Sequence, residues 1–165
     1  MLDSRTIAAL ILAASLGALA GALVAEHVFD LAPCPLCIYQ RWPYVATALL
    51  AGLTMASAER GRWPALFIGL GCLVFAGESV LAFYHVGVEQ GWFEGLAACA
   101  GAGETPTTLE ALRAELLKGA PPPRCDEPAW TLFGISMAGY NVIYAAVLAG
   151  FSGTAAVIMA MRARG

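Results

Sequence analysis

Long stretches without a charged residue constrain this chain more than any other feature of its sequence. Residues 6–25 carry no charge, and neither do residues 129–161. A helix needs about 20 apolar residues to cross the hydrocarbon core of a bilayer, because each residue adds about 1.5 Å of rise. Only 13% of the residues are charged, against about 25% in soluble domains. The sequence therefore predicts an all-α membrane protein.

The hydropathy pattern predicts a four-helix bundle made of one domain, residues 1–165. The first apolar run could also be a secretory signal, but it is longer than the apolar core of a signal peptide, and more spans follow it. The predicted transmembrane helices lie at about residues 6–28, 38–58, 63–86 and 139–161. Two loops, at about residues 29–37 and 87–138, then lie at the same end of the bundle.

The longer loop holds the main polar segment of the chain, and residues 107–118 within it predict a short amphipathic helix. Leu109, Leu112 and Leu116 share one face of that helix. The helix could pack on the loop itself or lie flat on the membrane. The chain has no basic cluster, so we expect membrane lipid as a partner and no nucleic acid.

Basic residues near the ends of the spans predict the orientation in the membrane. Five arginines fall at one end of the predicted bundle: Arg5, Arg60, Arg62, Arg162 and Arg164. Basic residues of membrane proteins concentrate on the cytoplasmic side. We therefore expect both termini in the cytoplasm and both loops in the outer, oxidising compartment. Four cysteines come together there: Cys34, Cys37, Cys99 and Cys125.

Cys34 and Cys37 form a Cys-x-x-Cys pair in the shorter loop. The two sulfurs could bond to each other or bind a metal, but a metal site usually needs a second pair or suitably spaced histidines, so we expect none. Pro35 suits the first position of a helix, which predicts that Cys34 caps the second helix and that Cys37 lies in its first turn. A helix N-terminus stabilises the thiolate, the reactive form in thiol–disulfide exchange. A structural disulfide is the alternative.

Cys99 and Cys125 lie in the longer loop with 25 residues between them. A structural disulfide would be a sufficient explanation for two cysteines in an outer loop of this length. Gly101, Gly103 and the proline run near Cys125 favour a mobile, solvent-exposed bond, which would be exchangeable. Cys72 lies in the middle of the third span, where we expect an inert, small apolar side chain.

The segment from Cys34 to Arg41 resembles the signature of the disulfide bond formation protein B (DsbB) family. It reads Cys-Pro-Leu-Cys-Ile-Tyr-Gln-Arg and leads into an apolar span. The second cysteine pair and the sequence Trp-Thr-Leu-Phe-Gly-Ile-Ser-Met-Ala-Gly from Trp130 also resemble this family, so the likeness covers nearly the whole chain in order. Gln40 departs from the family pattern, because members often carry an acid at this position.

The resemblance implies a thiol oxidoreductase of the bacterial inner membrane. Such an enzyme reoxidises a DsbA-type periplasmic thioredoxin-fold protein and passes the electrons to ubiquinone or menaquinone. The partner would attack the Cys99–Cys125 disulfide at Cys99, and Cys125 would pass the electrons on to Cys34. Cys37, as a thiolate, would then reduce the quinone. The alternative is a non-catalytic membrane protein with two structural disulfides.

Two ionisable residues near the membrane boundary are candidates for quinone binding. Arg41 lies one helical turn after Cys37, where its guanidinium could stabilise a thiolate and donate to a quinone carbonyl, or reach the lipid headgroups. His85 lies about two turns after Glu78 on one face of the third span. Ionisable groups at this depth favour a proton route, which quinone reduction requires.

Overall fold

The structure is a computed structural model that describes residues 3–57, 62–99, 108–110, 113 and 123–163. Five α-helices, a single 3₁₀ turn and one two-stranded hairpin are the elements whose bounds lie within the described residues. In chain order they are α1 (Ser4–His27), α2 (Pro35–Tyr39), α3 (Arg41–Ala56), α4 (Arg62–Glu89), the 3₁₀ turn (Ala97–Cys99), β1 (Thr131–Leu132), β2 (Ile135–Ser136) and α5 (Met137–Arg162).

Three of these helices, α1, α4 and α5, are long and apolar enough to cross a membrane. The mostly helical architecture with these three candidate spans is consistent with an all-α, multi-pass membrane protein. Helix α3 has 16 residues, which is short for a crossing at about 1.5 Å of rise per residue. The fourth crossing stays a prediction. The amphipathic helix predicted for residues 107–118 lies largely outside the described residues, which include only 108–110 and 113 of it.

The helix predicted for the second span is divided at Gln40, where α2 ends and α3 begins. Pro43 supplies the physical reason, because its ring nitrogen cannot donate to the carbonyl of Tyr39 and its ring crowds that carbonyl. The division leaves the Gln40 side chain buried where the two helices meet.

The helices pack mainly as two pairs, α4 along α5 and α1 along α3, with α3 also against α4. Small side chains allow the close approach of α4 and α5: a Cβ added at Gly153 would lie 3.1 Å from the Cys72 sulfur. A buried hydrogen bond of 2.8 Å between Ser15 and Thr47 joins α1 to α3. The central apolar core consists of Ile7, Ile11, Tyr44, Ala51, Ile68, Phe75 and Ala155.

Both connections that carry cysteines lie at one end of the bundle, which we call the cysteine end. Helices α1 and α4 end there, while α2 and α5 begin there. Of the five arginines used to predict the orientation, Arg5, Arg62 and Arg162 lie at the opposite end, and Arg60 and Arg164 lie outside the described residues.

A short hairpin, which the sequence analysis did not predict, leads into α5. Its strands pair Thr131 with Ser136, and its two loop residues, Phe133 and Gly134, have φ values of 49° and 77°. Two successive positive φ values are what a type I′ hairpin turn requires. Ser136 then caps α5, since its hydroxyl accepts the backbone N–H of Gly139 at 3.1 Å.

Candidate functional site

Cys34 and Cys37 lie at the start of α2 as two free thiols with their sulfurs 2.9 Å apart. Cys34 is the N-cap, and its sulfur accepts the backbone N–H of Cys37 at 3.2 Å. Pro35 occupies the first turn. The predicted cap is confirmed, and it places the Cys34 sulfur where the N–H groups of a helix terminus stabilise negative charge.

The two sulfurs differ in how easily they lose a proton. Hydrogen bonding from the Cys37 thiol is the largest cause that lowers the pKa of Cys34, to about 4, with further hydrogen bonds from His85 and the Cys37 N–H, while burial opposes the shift. The same pairing, together with burial, raises the pKa of Cys37. In the reduced pair the thiolate is therefore stabilised on Cys34, whereas the resemblance assigned it to Cys37.

His85, near the end of α4, contacts the buried thiol of Cys34. Its Nε2 lies 3.6 Å from the Cys34 sulfur, and its Nδ1 lies 3.1 Å from the amide nitrogen of Gln40. A carboxylate oxygen of Glu89 lies 3.9 Å from Nε2, too far for a hydrogen bond. The histidine thus joins the thiol pair to polar groups inside the bundle.

Beyond His85, polar side chains from three helical segments meet inside the bundle. The amide nitrogen of Asn141 donates to the side-chain oxygen of Gln40 at 2.9 Å and to Glu78 at 2.6 Å. The hydroxyl of Tyr44 donates to the amide oxygen of Asn141. Asn141 was not predicted as a site residue, although an amide in an otherwise uncharged span is a signal of function, since burying it in lipid is costly.

Arg41 forms an ion pair with Glu26, with 2.6 Å between Nη1 and the carboxylate. This contact ties the start of α3 to the end of α1. Both side chains are partly buried, with 23% of the Arg41 surface and 28% of the Glu26 surface exposed. Because of this ion pair, the guanidinium has a partner within the protein. Sequence analysis did not predict Glu26 as that partner.

A cavity of about 580 Å³ lies between α1 and the first half of α5 at the cysteine end. Small and apolar residues of α1 between Gly17 and Ala25 form one wall. Cys37, Arg41 and His85, the residues predicted to bind a quinone, all line this cavity. Deeper in the bundle, the Tyr144 hydroxyl donates to the carbonyl of Ala14 at 2.9 Å, bridging α5 and α1.

Cys99 and Cys125 form a disulfide, and its surroundings contradict the predicted exposure. The two cysteines are 4% and 0% exposed. They pack in one apolar cluster with Cys34, Leu36 and Val88. The expectation of a solvent-exposed bond was wrong, because the turn before Cys99 folds back onto the ends of α2 and α4.

Gly95 shows why glycine content was a poor guide to exposure in this loop. A Cβ added there would lie 3.3 Å from both the Cys99 Cβ and a Val88 methyl group. The glycine therefore admits close packing of the loop against α4. Gly101 and Gly103, on which the expectation rested, lie outside the described residues.

The thiol pair and His85 together offer a metal ion an incomplete set of ligands. Ligand atoms of Cys34, Cys37 and His85 lie within 4.8 Å of one another. Three such donors could hold a soft ion with water as a fourth ligand. A disulfide packed in the same cluster as Cys34 favours thiol–disulfide chemistry, since exchange needs sulfur atoms within reach of each other.

A family model described as "Disulfide bond formation protein DsbB" matches residues 4–155. The chain is 33% identical to disulfide bond formation protein B of Albidiferax ferrireducens over 84% of this chain and 79% of the relative. It is 32% identical to the protein of that name from Polaromonas naphthalenivorans, over 90% and 89%. An uncharacterized protein of Rickettsia prowazekii is 28% identical over 78% and 74%. No solved structure matches the chain significantly.

Proposed function

The chain belongs to the disulfide bond formation protein DsbB family, and from this premise we propose that it oxidises a DsbA-type periplasmic dithiol protein and passes the electrons to a membrane quinone. Family membership makes it a membrane thiol oxidoreductase. One observation carries the finer proposal: the buried Cys99–Cys125 disulfide shares an apolar cluster with Cys34, while Cys37 lines a cavity. A donor-side bond and an acceptor-side pocket thus flank one thiol pair.

The first exchange takes place at Cys99. A thiolate of the partner attacks the Cys99 sulfur, the bond between Cys99 and Cys125 breaks, and its electron pair leaves on Cys125. The Cys125 thiolate then attacks Cys34 in the oxidised Cys34–Cys37 pair, and Cys37 leaves as a thiolate. Because Cys99 is buried, we expect partner binding to displace the turn that covers it.

A second exchange resets the disulfide in the loop. The remaining thiol of the partner attacks its own mixed disulfide and releases Cys99. Cys99 then attacks Cys125 in the Cys125–Cys34 bond, so the Cys99–Cys125 bond re-forms and Cys34 leaves as a thiolate. The partner has lost two electrons and two protons, and the Cys34–Cys37 pair has gained them. The structure has this distribution, with one disulfide and two free thiols at these four positions.

The cavity residues fit a quinone, which is a flat apolar ring with two carbonyl acceptors. Most of the wall is apolar, and the Nε of Arg41 is buried without a hydrogen-bond partner among the described residues. A buried donor without a partner is costly, so an acceptor in the cavity would stabilise it. When bound, the quinone supplies the two-electron acceptor that restores the Cys34–Cys37 disulfide.

Three residues that line the cavity have roles in this proposal. Cys37 lines the cavity and brings the thiol pair to it. Arg41 would donate to a carbonyl oxygen of the quinone, and Glu26 holds the Arg41 guanidinium in place through their ion pair. His85 supplies a hydrogen bond to Cys34, which keeps this sulfur a good leaving group during the exchange with Cys125.

A direct assay mixes the purified protein with a reduced thioredoxin-fold dithiol protein and a short-chain quinone, and follows the loss of quinone absorbance. We expect turnover that a metal chelator does not inhibit and that Cys37→Ser abolishes. A non-catalytic protein with two structural disulfides would leave the quinone oxidised and the partner reduced, and that result would overturn the proposal.

We also propose that both termini are cytoplasmic and that the cysteine end faces the periplasm of the inner membrane. Arg5, Arg62 and Arg162 at the opposite end of the bundle support this orientation. A membrane-impermeant thiol reagent added to reduced, intact spheroplasts should label Cys99 and Cys125. Labelling of these two cysteines only after the membrane is opened would reverse the orientation.

A further inference from the structure

A continuous chain of hydrogen bonds runs from the thiol pair into the bundle. Cys34 lies 3.6 Å from His85, His85 lies 3.1 Å from Gln40, and Asn141 reaches Gln40 at 2.9 Å and Glu78 at 2.6 Å. Four of these five side chains are buried, and Asn141 is half-buried. Buried side-chain networks of this kind fix one arrangement of donors and acceptors.

The direction of the hydrogen bonds follows from the two amides. The nitrogen of Asn141 donates both of its hydrogens, one to Glu78 and one to the oxygen of Gln40, while its oxygen accepts from Tyr44. Because Gln40 presents its oxygen to Asn141, its nitrogen faces Nδ1 of His85. An amide nitrogen can only donate, so this Nδ1 must carry a lone pair.

A neutral imidazole has one N–H, and with Nδ1 as acceptor the hydrogen lies on Nε2. That nitrogen faces the Cys34 sulfur at 3.6 Å, whereas the nearest carboxylate oxygen, on Glu89, is 3.9 Å away. We infer that Glu78 and Asn141 act through Gln40 as positioning residues that hold His85 in the Nε2–H tautomer, so that it donates to the Cys34 thiolate.

The opposite tautomer would have the reverse effect on the reaction. It would turn a lone pair of Nε2 toward the negative sulfur of Cys34 and remove a hydrogen bond that this thiolate accepts in addition to the one from the Cys37 backbone N–H. The inference rests on the proposed function only in giving Cys34 a role in exchange. The tautomer itself is a property of the reduced protein without quinone.

Nitrogen NMR of the histidine-labelled, reduced, quinone-free protein measures the tautomer directly, and His27→Gln removes the signals of the second histidine. We expect the Nδ1 resonance of His85 in the unprotonated range. Gln40→Glu presents only acceptor oxygens to this nitrogen, so its resonance should move to the protonated range. A protonated Nδ1 in the unmodified chain, or an unchanged resonance in Gln40→Glu, would overturn the inference.

A remote variant tests whether Asn141 acts through Gln40. Asn141 makes no hydrogen bond to His85 or Cys34. Asn141→Leu removes the donor that holds the side-chain oxygen of Gln40, so Gln40 can present either end of its amide to His85. The Nδ1 resonance should then move to an average of both tautomers. Ser79→Ala is the matched control, because it removes a hydrogen bond of 3.1 Å to the Val142 carbonyl between the same two helices. Equal responses of the two variants would contradict the positioning role.

The NMR experiment and the quinone assay fail independently. Expected resonances without any quinone reduction would remove the proposed function and leave the tautomer assignment in place. Turnover with a protonated Nδ1 in the unmodified chain would remove the tautomer assignment and leave the proposed function in place. Quinone reduction in the assay does not require a particular tautomer of His85.

Discussion

The two cysteine pairs lie in one buried cluster, but the groups around them differ. Cys34 accepts hydrogen bonds from a helix N-terminus and lies against His85. The sulfurs of Cys99 and Cys125 pack against the apolar side chains of Leu36 and Val88. Among the described residues, negative charge is therefore stabilised at the first pair, whereas apolar side chains surround the second.

This difference sets a direction for electron flow. A dithiol whose thiolate is stabilised is easier to keep reduced, so its disulfide is the stronger oxidant. Under the proposed function we therefore expect the Cys34–Cys37 disulfide to oxidise the Cys99/Cys125 dithiol rather than the reverse. Electrons would then collect on the pair beside the cavity before they leave the protein.

The largest expected effect comes from cutting the connection between the pairs. Cys125→Ser removes the sulfur that attacks Cys34, so turnover should fall by about a thousandfold or more, as expected when a nucleophile is lost. The unpaired Cys99 thiolate of this variant can attack the disulfide of added, oxidised partner, whose second cysteine leaves as a thiolate, so a mixed disulfide with Cys99 should be visible by non-reducing electrophoresis after acid trapping. Cys72→Ser is the matched control and should keep its activity, because Cys72 packs against Gly153 in the middle of the bundle. Normal turnover in Cys125→Ser would refute the relay.

The positions of the long helices and the N-cap at Cys34 could be predicted from the sequence, because each depends on interactions between residues that are close in the chain. Uncharged runs predicted α1 and α5, an apolar run that carries Glu78 predicted α4, and the Cys-Pro pair predicted the N-cap at Cys34. The division at Gln40 was predictable in the same way from Pro43, whose missing N–H acts only on its own helix.

Contacts between helices were not predictable in this way. Asn141 meets Gln40 and Glu78 because of how α3, α4 and α5 are rotated against one another, and periodicity within one helix does not specify that rotation. The burial of the disulfide depends likewise on how closely the loop packs on α4 at Gly95. A glycine in a loop sequence suggests flexibility, but Gly95 in this structure allows the loop to pack closely against α4.

A smaller and more selective effect should come from the cavity side. Arg41→Met removes a charged donor, and a hydrogen bond to a charged group contributes about 1.5–3 kcal/mol, so the KM for quinone should rise by about tenfold or more. Lysine should rescue only partly, because it lacks the planar donor fork. Exchange between the partner and Cys99 should be unaffected in single-turnover experiments.

Glu26→Gln gives the matched control for Arg41, since it breaks the ion pair and leaves the guanidinium in place. We expect a smaller rise in the KM for quinone than in Arg41→Met. If loss of Arg41 slowed partner oxidation as much as quinone reduction, or changed neither, the arginine would serve only as a structural or headgroup anchor.

The smallest perturbation is a change of pH on the reduced, quinone-free protein. The pKa of Cys34 is lowered to about 4, so its thiolate exists above that pH. The stabilisation it gives the reduced, folded protein is fully present above the ordinary pKa of a thiol and is lost as the pH falls through about 4. Ultraviolet thiolate absorbance should therefore persist through mildly acidic pH and disappear near pH 4.

Cys34→Ser should abolish this acidic transition, whereas Cys72→Ser should leave it in place. A transition that appears only at alkaline pH would show that the first pair does not stabilise a thiolate. The contrast between the two pairs, and the direction of electron flow drawn from it, would then be lost.

The most direct test of electron flow from one pair to the other is to determine which cysteines are free thiols after the protein has accepted two electrons. Fully oxidised, quinone-free protein receives one equivalent of reduced partner, free thiols are trapped by acid and alkylation, and mass spectrometry locates them. Our account predicts alkylated Cys34 and Cys37 with the Cys99–Cys125 disulfide intact, the distribution found in the structure. Alkylation confined to Cys99 and Cys125, with a Cys34–Cys37 disulfide remaining, would contradict it.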